Sequence, residues 1–136
     1  MNDSDISAEG NTVLAWHRAV NDGDVSRFSG LVAPDVLLEG LSVEDSSGLE
    51  GLSHWVEATR VQLAPRRLFR RGPVVVVEQS AVWWSDDANP SQPAQAGMLF
   101  ELAGGSITRI VRYPDVARAL EAAGMDDGDM EVERIR

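Results

Sequence analysis

The sequence contains no cysteine and no lysine. Without cysteine there is no disulfide framework, no thiol nucleophile and no zinc–thiolate centre. Long apolar runs are missing too: the longest are about four residues, at 74–77 and 81–84, against the roughly 20 that a membrane-spanning helix needs. Histidine is nearly absent, with only His17 and His54, and two widely spaced imidazoles do not make a metal site. Neither a Gly-x-Ser-x-Gly turn nor a glycine-rich phosphate loop occurs, since Gly104 and Gly105 read as a hairpin turn. The acidic start at residues 1–5 lacks the positive flank and apolar stretch of a secretory leader. We therefore expect a cytoplasmic protein with no cofactor, no metal, no nucleic-acid partner and no membrane association.

What is present is ordinary for a globular domain. The 136 residues are 43% hydrophobic and 25% charged, with four Trp, one Tyr and a formal net charge of −10. The acidity is uneven. Residues 1–10 contribute −3, and residues 124–136 another −3. Between them Arg60, Arg66, Arg67, Arg70 and Arg71 form a stretch without an acid. The expected organisation is an acidic tail over 1–10, one domain over 11–124, and a second acidic tail over 125–136. The run Asp126, Asp127, Asp129 and Glu131 lacks the register of a calcium loop and reads as part of that tail.

Helical spacing predicts a first helix over 12–22, capped by Asn11 or Thr12, with Val13, Trp16, His17 and Val20 on one face. Asn21, Asp22 and Gly23 end it, and Asp24 caps a second, short helix limited by Pro34. A short strand follows at 36–39, a loop at 42–48, and a third helix over 51–63 stopped by Pro65. The pattern then changes to period two. Strands are predicted at 66–71, 74–84, 97–102 and 107–113, with a turn-rich hairpin loop at 85–95. Pro114 and Asp115 open a final helix that Gly124 closes. Helices first and antiparallel strands afterwards predict an α+β domain, with helices packed on one face of a curved sheet.

Several segments carry a family likeness: Trp16 through Asn21-Asp22-Gly23-Asp24, then 31–36 (Leu-Val-Ala-Pro-Asp-Val), and Gly48-Leu49-Glu50-Gly51. The most specific is 105–115 (Gly-Ser-Ile-Thr-Arg-Ile-Val-Arg-Tyr-Pro-Asp), followed by 119–124. In order and spacing the chain resembles the SnoaL-like branch of the nuclear-transport-factor-2-like superfamily, which also holds ketosteroid isomerase and limonene epoxide hydrolase. The resemblance implies a cone-shaped, curved antiparallel sheet wrapped around three helices from the N-terminal half, with a short C-terminal helix and a pocket open at one end. It also implies homodimers formed through the outer sheet face.

Neither enzyme's residue set is complete here. By resemblance the isomerase phenol position falls at Trp16, its base position at Gly40 beside Glu39, and its second acid near Ala96 or Gly97. The hydrolase Arg-x-Asp falls at Glu78-Gln79-Ser80 and its late-strand acid at Arg112, so an ion pair between Glu78 and Arg112 is an open expectation. The candidate acid–base residues are His54, Glu39 and Glu78. The candidate ligand contacts are Trp16, Trp55, Arg112 and Tyr113. His17, on an apolar helix face, reads as a packed, hydrogen-bonded core histidine. Trp83 and Trp84 are neighbours on one strand, so they must point to opposite sides of the sheet.

Three roles follow as expectations. One is a pocket that binds or transforms a small hydrophobic, polyketide- or terpenoid-like molecule. Another is an acid–base isomerase, cyclase or epoxide hydrolase. The third is a non-catalytic dimeric interaction module.

Overall fold

A computed structural model describes residues 6–41, 48–84 and 90–135. Residues 42–47 of the loop expected at 42–48 and residues 85–89 of the hairpin loop expected at 85–95 lie outside the described residues, and Ala94 and Gln95 of the latter are already strand. Helix α1 (Ala8–Asn21) begins one turn before the predicted cap, because Ser7 Oγ accepts a hydrogen bond from Gly10 N. Its predicted inner face is buried in full: Val13, Trp16, His17 and Val20 are each at most 1% exposed. Asp24 caps α2 (Val25–Ser29) as expected, its carboxylate accepting from Arg27 N.

Asn21 has a second task. Its side chain accepts from Leu63 N and donates to Leu63 O, while Gln62 Nε2 donates to Asn21 O. The end of α1 is thereby stitched to a strand some forty residues later. Helix α3 (Gly48–Thr59) stops earlier than Pro65 suggested. Arg60, at φ 48°, is the one positive-φ non-glycine residue among those described, and it ends the helix. Strand β2 (Gln62–Arg71) then starts and takes in Pro65, where its register against β3 shifts. A proline is tolerated there because a bulge does not require its missing N–H.

With β1 (Val32–Glu39), β3 (Val74–Val82), β4 (Ala94–Ala103), β5 (Ser106–Tyr113) and β6 (Met130–Val132), the strands form one curved, unclosed sheet in the order β1-β5-β4-β3-β2-β6. The fold is α+β, as expected. The sheet is mixed and not wholly antiparallel, since β1 runs parallel to β5. That pairing follows from connectivity: β1 reaches the sheet from the helical layer, not through a hairpin.

The two faces of the sheet are covered by different elements. Helices α1 and α3 lie on the concave face, over a core that includes Val75, Val77, Met98, Phe100 and Ile110. Helix α4 (Val116–Ala123), capped by Asp115 and closed by Gly124 at φ 69°, packs on the outer face against β4 and β3. A smaller cluster of Phe69, Val76, Leu99, Val111 and Leu120 forms there. Gly97 makes that approach possible, because a Cβ on it would lie 2.7 Å from Asp115 O and from Val116 Cα.

The segment 125–135 is not a tail. It forms a short 3-10 turn over Asp127–Asp129 and then strand β6, which pairs with Leu68 and Phe69 of β2. Arg70 and Arg71 of the basic stretch bind it through Glu131 and Asp129. Glu131 also reaches the other end of the chain, where Ser7 N and Ser7 Oγ donate to its Oε2 at 3.1 and 2.7 Å. Burial works against ionisation of Glu131, but the hydrogen bonds from Arg70 and Ser7 outweigh it and hold the carboxyl below its ordinary range. The N-terminal expectation changes likewise. Residues 8–10 are helix, and residues 1–5 lie outside the described residues.

Candidate functional site

The pleat decides which side chains meet in the concave interior, because successive residues of a strand point to opposite faces. On β3 the inward series is Val75, Val77, Gln79 and Ala81, all buried. Register places Gln79 beside Ala96 and Val77 beside Met98, and across β4 it places Met98 beside Arg112. Of these inner positions, Gln79, Ala81, Met98 and Arg112 form one side of a cavity of about 230 Å³.

Its deepest residues are Gln79 and Met98, each 1% exposed, with Ala81 and Leu63 next to them. Trp55, Thr59 and Val61, from α3 and the connection after it, close the opposite side. Leu41, Gly40, Arg112 and Trp83 surround the opening, where Trp83 is 38% exposed. Gly40, at φ 76°, sits so close to β5 that a Cβ would collide with the Arg112 carbonyl. A glycine is therefore needed for β1 to leave the sheet at this rim.

Among the described residues three polar side chains border the cavity. Thr59 Oγ1 donates to Trp55 O at 2.7 Å and is satisfied within its helix. Arg112, half-buried, has no ion pair or side-chain hydrogen bond among the described residues. Gln79 lies between two neighbours: its Oε1 is 2.7 Å from His17 Nε2, and its Nε2 is 2.9 Å from Met98 Sδ. The other ring nitrogen, His17 Nδ1, is 2.8 Å from Val13 O. Burial pushes the His17 imidazole below its ordinary pKa of 6.5 and outweighs the opposing hydrogen bond to the Val13 carbonyl. The ring also stacks edge-on with Trp16, whose own indole meets Phe100 in the same way.

Of the residues singled out from sequence, Trp55 and Arg112 line the cavity. Trp16 does not. It is fully buried behind the cavity, and its indole N–H has no partner among the described residues. Tyr113 falls on the outer face and packs with the α4 cluster. Glu39 and Glu78 both point outward. Glu39 is bound by Arg109, which also holds Glu101. Glu78 receives both Arg67 Nε and Nη2, at 2.8 and 2.9 Å. These bonds hold the Glu78 carboxyl below its ordinary range, against the opposing effect of burial.

The expected Glu78–Arg112 pair is therefore not formed, because the two residues occupy opposite pleat positions. His54 is exposed on α3, outside the cavity. Of the two adjacent tryptophans, Trp83 turns to the cavity opening, while the backbone at Trp84 bridges to Pro90. His17 is the buried, hydrogen-bonded core histidine that its helix face predicted. Gln79 was missed, although the signal was there: it is the one polar residue in the inward series of a period-two strand.

A wider, more open depression of about 730 Å³ lies on the outer face around Arg66, Arg67, Glu78, Glu133 and Arg134. It is a charged groove, with the Arg67–Glu78 pair along its side. Among the described residues no cluster of His, Asp and Glu is arranged to hold a metal ion, and no helix is long and apolar enough to cross a membrane.

No protein-family model matches the sequence, and no curated protein matches it. Solved structures do resemble it in shape. A nuclear-transport-factor-2-like protein of unknown function from Burkholderia pseudomallei superposes with a TM-score of 0.68 at 16% identity, covering 85% of this chain and 97% of that one. A putative polyketide cyclase from Pseudomonas putida superposes with a TM-score of 0.65 at 24% identity, covering 85% and 97%. A Mycobacterium tuberculosis protein, solved in complex with estradiol-17β-hemisuccinate, gives a TM-score of 0.69 at 16% identity, covering 82% and 96%. At these identities the likeness shows the fold: the chain has the nuclear-transport-factor-2-like architecture that its sequence resembles.

Proposed function

We propose that this protein binds a small, largely apolar molecule in the cavity between α3 and the concave face of the sheet. The observation that carries this reading is the cavity itself, about 230 Å³ in volume. An apolar cavity of about 150 Å³ accepts benzene, so this one suits roughly a two-ring system, with room to extend through the opening. Apolar and aromatic walls with a few placed polar groups are what small-molecule sites generally show. Arg112 at the rim adds a positive charge with no ion-pair partner among the described residues, which favours a ligand with an acidic or enolic end over a neutral hydrocarbon. Two structural relatives support the reading: one was solved with a steroid hemisuccinate, and another is described as a putative polyketide cyclase. A polyketide- or terpenoid-like ligand for a SnoaL-like protein is the finer form of the same proposal.

The proposed role is binding. Acid–base chemistry by Glu39, His54 or Glu78 would need those groups in the cavity, and none of the three lines it. A homodimer belongs to the reading as well. Because α4 already covers β3 and β4 on the outer face, a second copy would have to seat beside that helix.

The test is a titration of ¹⁵N-labelled protein with naphthalene and with 2-naphthoate, following the indole N–H signals of Trp55 and Trp83. Saturable shifts at both indoles are expected. 2-Naphthoate should bind about tenfold tighter than naphthalene, an advantage that Arg112→Met removes, as a charge-assisted hydrogen bond of about 1.5 kcal/mol would give. Ala81→Phe, which fills the cavity floor, should abolish binding of both while leaving a folded spectrum. Absence of saturable shifts, or binding that Ala81→Phe leaves unchanged, rejects the cavity as the site.

A further inference from the structure

The polar floor of the cavity shows which functional group its ligand presents there. His17 Nδ1 lies 2.8 Å from the Val13 carbonyl. A carbonyl only accepts, so for this contact to be a hydrogen bond the proton sits on Nδ1. His17 is 1% exposed, and among the described residues no carboxylate is hydrogen-bonded to it. Burial disfavours its charged form, and the nearby Arg18 charge disfavours it further. The ring is thus neutral near pH 7, and Nε2 carries a lone pair.

That lone pair faces the Gln79 carboxamide at 2.7 Å. The two ends of a carboxamide have the same shape, and only their partners decide which end is nitrogen. An oxygen against the Nε2 lone pair would set two acceptors together at hydrogen-bond distance, whereas an N–H there makes a bond. The alternative is weak by comparison. It rewards the amide N–H with only the Met98 thioether, a poor acceptor, and leaves His17 Nε2 buried without a donor. Turning the amide satisfies His17 and directs the carbonyl oxygen toward Met98 Sδ on the cavity wall. Sulfur offers that oxygen no hydrogen, so a buried acceptor with unsatisfied lone pairs borders an otherwise apolar floor.

We propose that Gln79, with its N–H₂ end donating to His17 Nε2, presents its carbonyl oxygen to the cavity as the acceptor for a ligand hydroxyl, and that His17 is the positioning residue that fixes this polarity. The inference rests on the cavity being the binding site. Together with Arg112 it defines a ligand with a hydroxyl at the buried end and an acidic or acceptor group toward the opening. Arg112 is two strands from Gln79 and one pleat further along, which places their Cα atoms roughly 12 Å apart from strand spacings of about 4.8 Å and a rise of about 3.4 Å per residue. A two-ring hydroxylated acid spans the gap left between the two side chains.

Two measurements test this. Imidazole ¹⁵N spectroscopy of the free protein reads the tautomer directly, and with only two histidines the signals are assigned by a His54→Gln variant. Neutral His17 protonated on Nδ1 is expected. A proton on Nε2, in the cation or the other tautomer, overturns the proposal, because the amide would then face the cavity with its N–H₂ end.

The second measurement compares 2-naphthol with 2-methoxynaphthalene, which keeps the oxygen and loses the donor. The hydroxyl compound should bind five- to tenfold tighter, consistent with one net hydrogen bond. Gln79→Met should erase that preference while naphthalene still binds. His17→Met should also erase it with Gln79 intact, and His17→Gln, which restores an acceptor near the Nε2 position, should recover it. If naphthalene binds but the two oxygenated probes bind equally, the hydroxyl inference falls and the cavity reading stands. If none of the three binds, both fall.

Discussion

The two faces of β3 differ by one residue in sequence and by a different physics in each case. On the outer face Glu78 is held by two nitrogens of Arg67, and nearby Arg109 sits between Glu39 and Glu101. These groups are partly exposed; the Arg67 and Glu78 side chains are 35% and 23% accessible. Water and a partner share the work of stabilising each charge. On the inner face Gln79 and His17 are both 1% exposed, so each polar atom must find its partner within the protein or in a ligand. The number of charges near a site is therefore a poor guide to its chemistry. The outer face has both carboxylates nominated from sequence, Glu39 and Glu78, and the inner face has the side chains able to recognise a molecule.

Removing inner packing should produce the largest effect. Phe100→Ala takes away a fully buried ring that meets Trp16 and His17 and should cost about 3–5 kcal/mol of unfolding free energy, as large-to-small core substitutions do. Urea denaturation measures it. A loss under about 1 kcal/mol would mean that the inner face collapses around the gap, and the contrast between the faces would lose its basis.

The second prediction concerns pH. The folded pKa of His17 lies below its unfolded value of 6.5, so on acidification the unfolded chain takes up a proton first. Stability is therefore complete above about pH 6.5 and declines below it, by up to about 1.4 kcal/mol per pH unit, until the folded state protonates as well. His17→Met should flatten the slope between pH 6.5 and 5 while lowering stability overall. Glu78 and Glu131, whose pKa values are lowered, contribute their own losses only at more acidic pH, and they do so in both proteins. A slope unchanged by His17→Met would show that the decline comes from elsewhere.

The smallest effect belongs to the outer face. Glu78→Gln should change stability by less than about 1 kcal/mol despite the paired geometry, because exposed ion pairs give little net energy. The change should shrink further in 0.5 M salt, where screening is strong. A salt-insensitive loss of about 2 kcal/mol or more would mean that the pair is effectively buried, and the two faces would be more alike than their exposures suggest.

Much of the fold was legible because it rests on local pattern. The apolar stripe from Val13 to Val20, the caps at Asp24 and Asp115, and the alternation along 74–82 all express rules that act within a few residues. The site was legible only in part. Trp55 and Arg112 do line the cavity, but whether Glu39 and Glu78 turned inward depends on how β1 meets β5 and how β2 meets β3, and both pairings contain register shifts. A one-residue slip reverses every side chain of a strand, and no local pattern records it. Strand β6 escaped for a related reason. Three residues among acids have no periodicity of their own, and their partners lie more than sixty positions earlier in β2.

Glu131 accepts hydrogen bonds from Ser7 across 124 positions of sequence, and the same Ser7 caps α1. Unravelling at either end should therefore not stay local. Release of β6 removes the carboxylate that anchors Ser7, and fraying of the first turn of α1 leaves Glu131 with Arg70 alone. Terminal segments usually exchange their amide hydrogens through small, independent openings. Here the amides of Gly10 and of β6 should exchange at matched rates and respond together to any substitution at residue 131. The two ends of the described chain would then open as one cooperative unit.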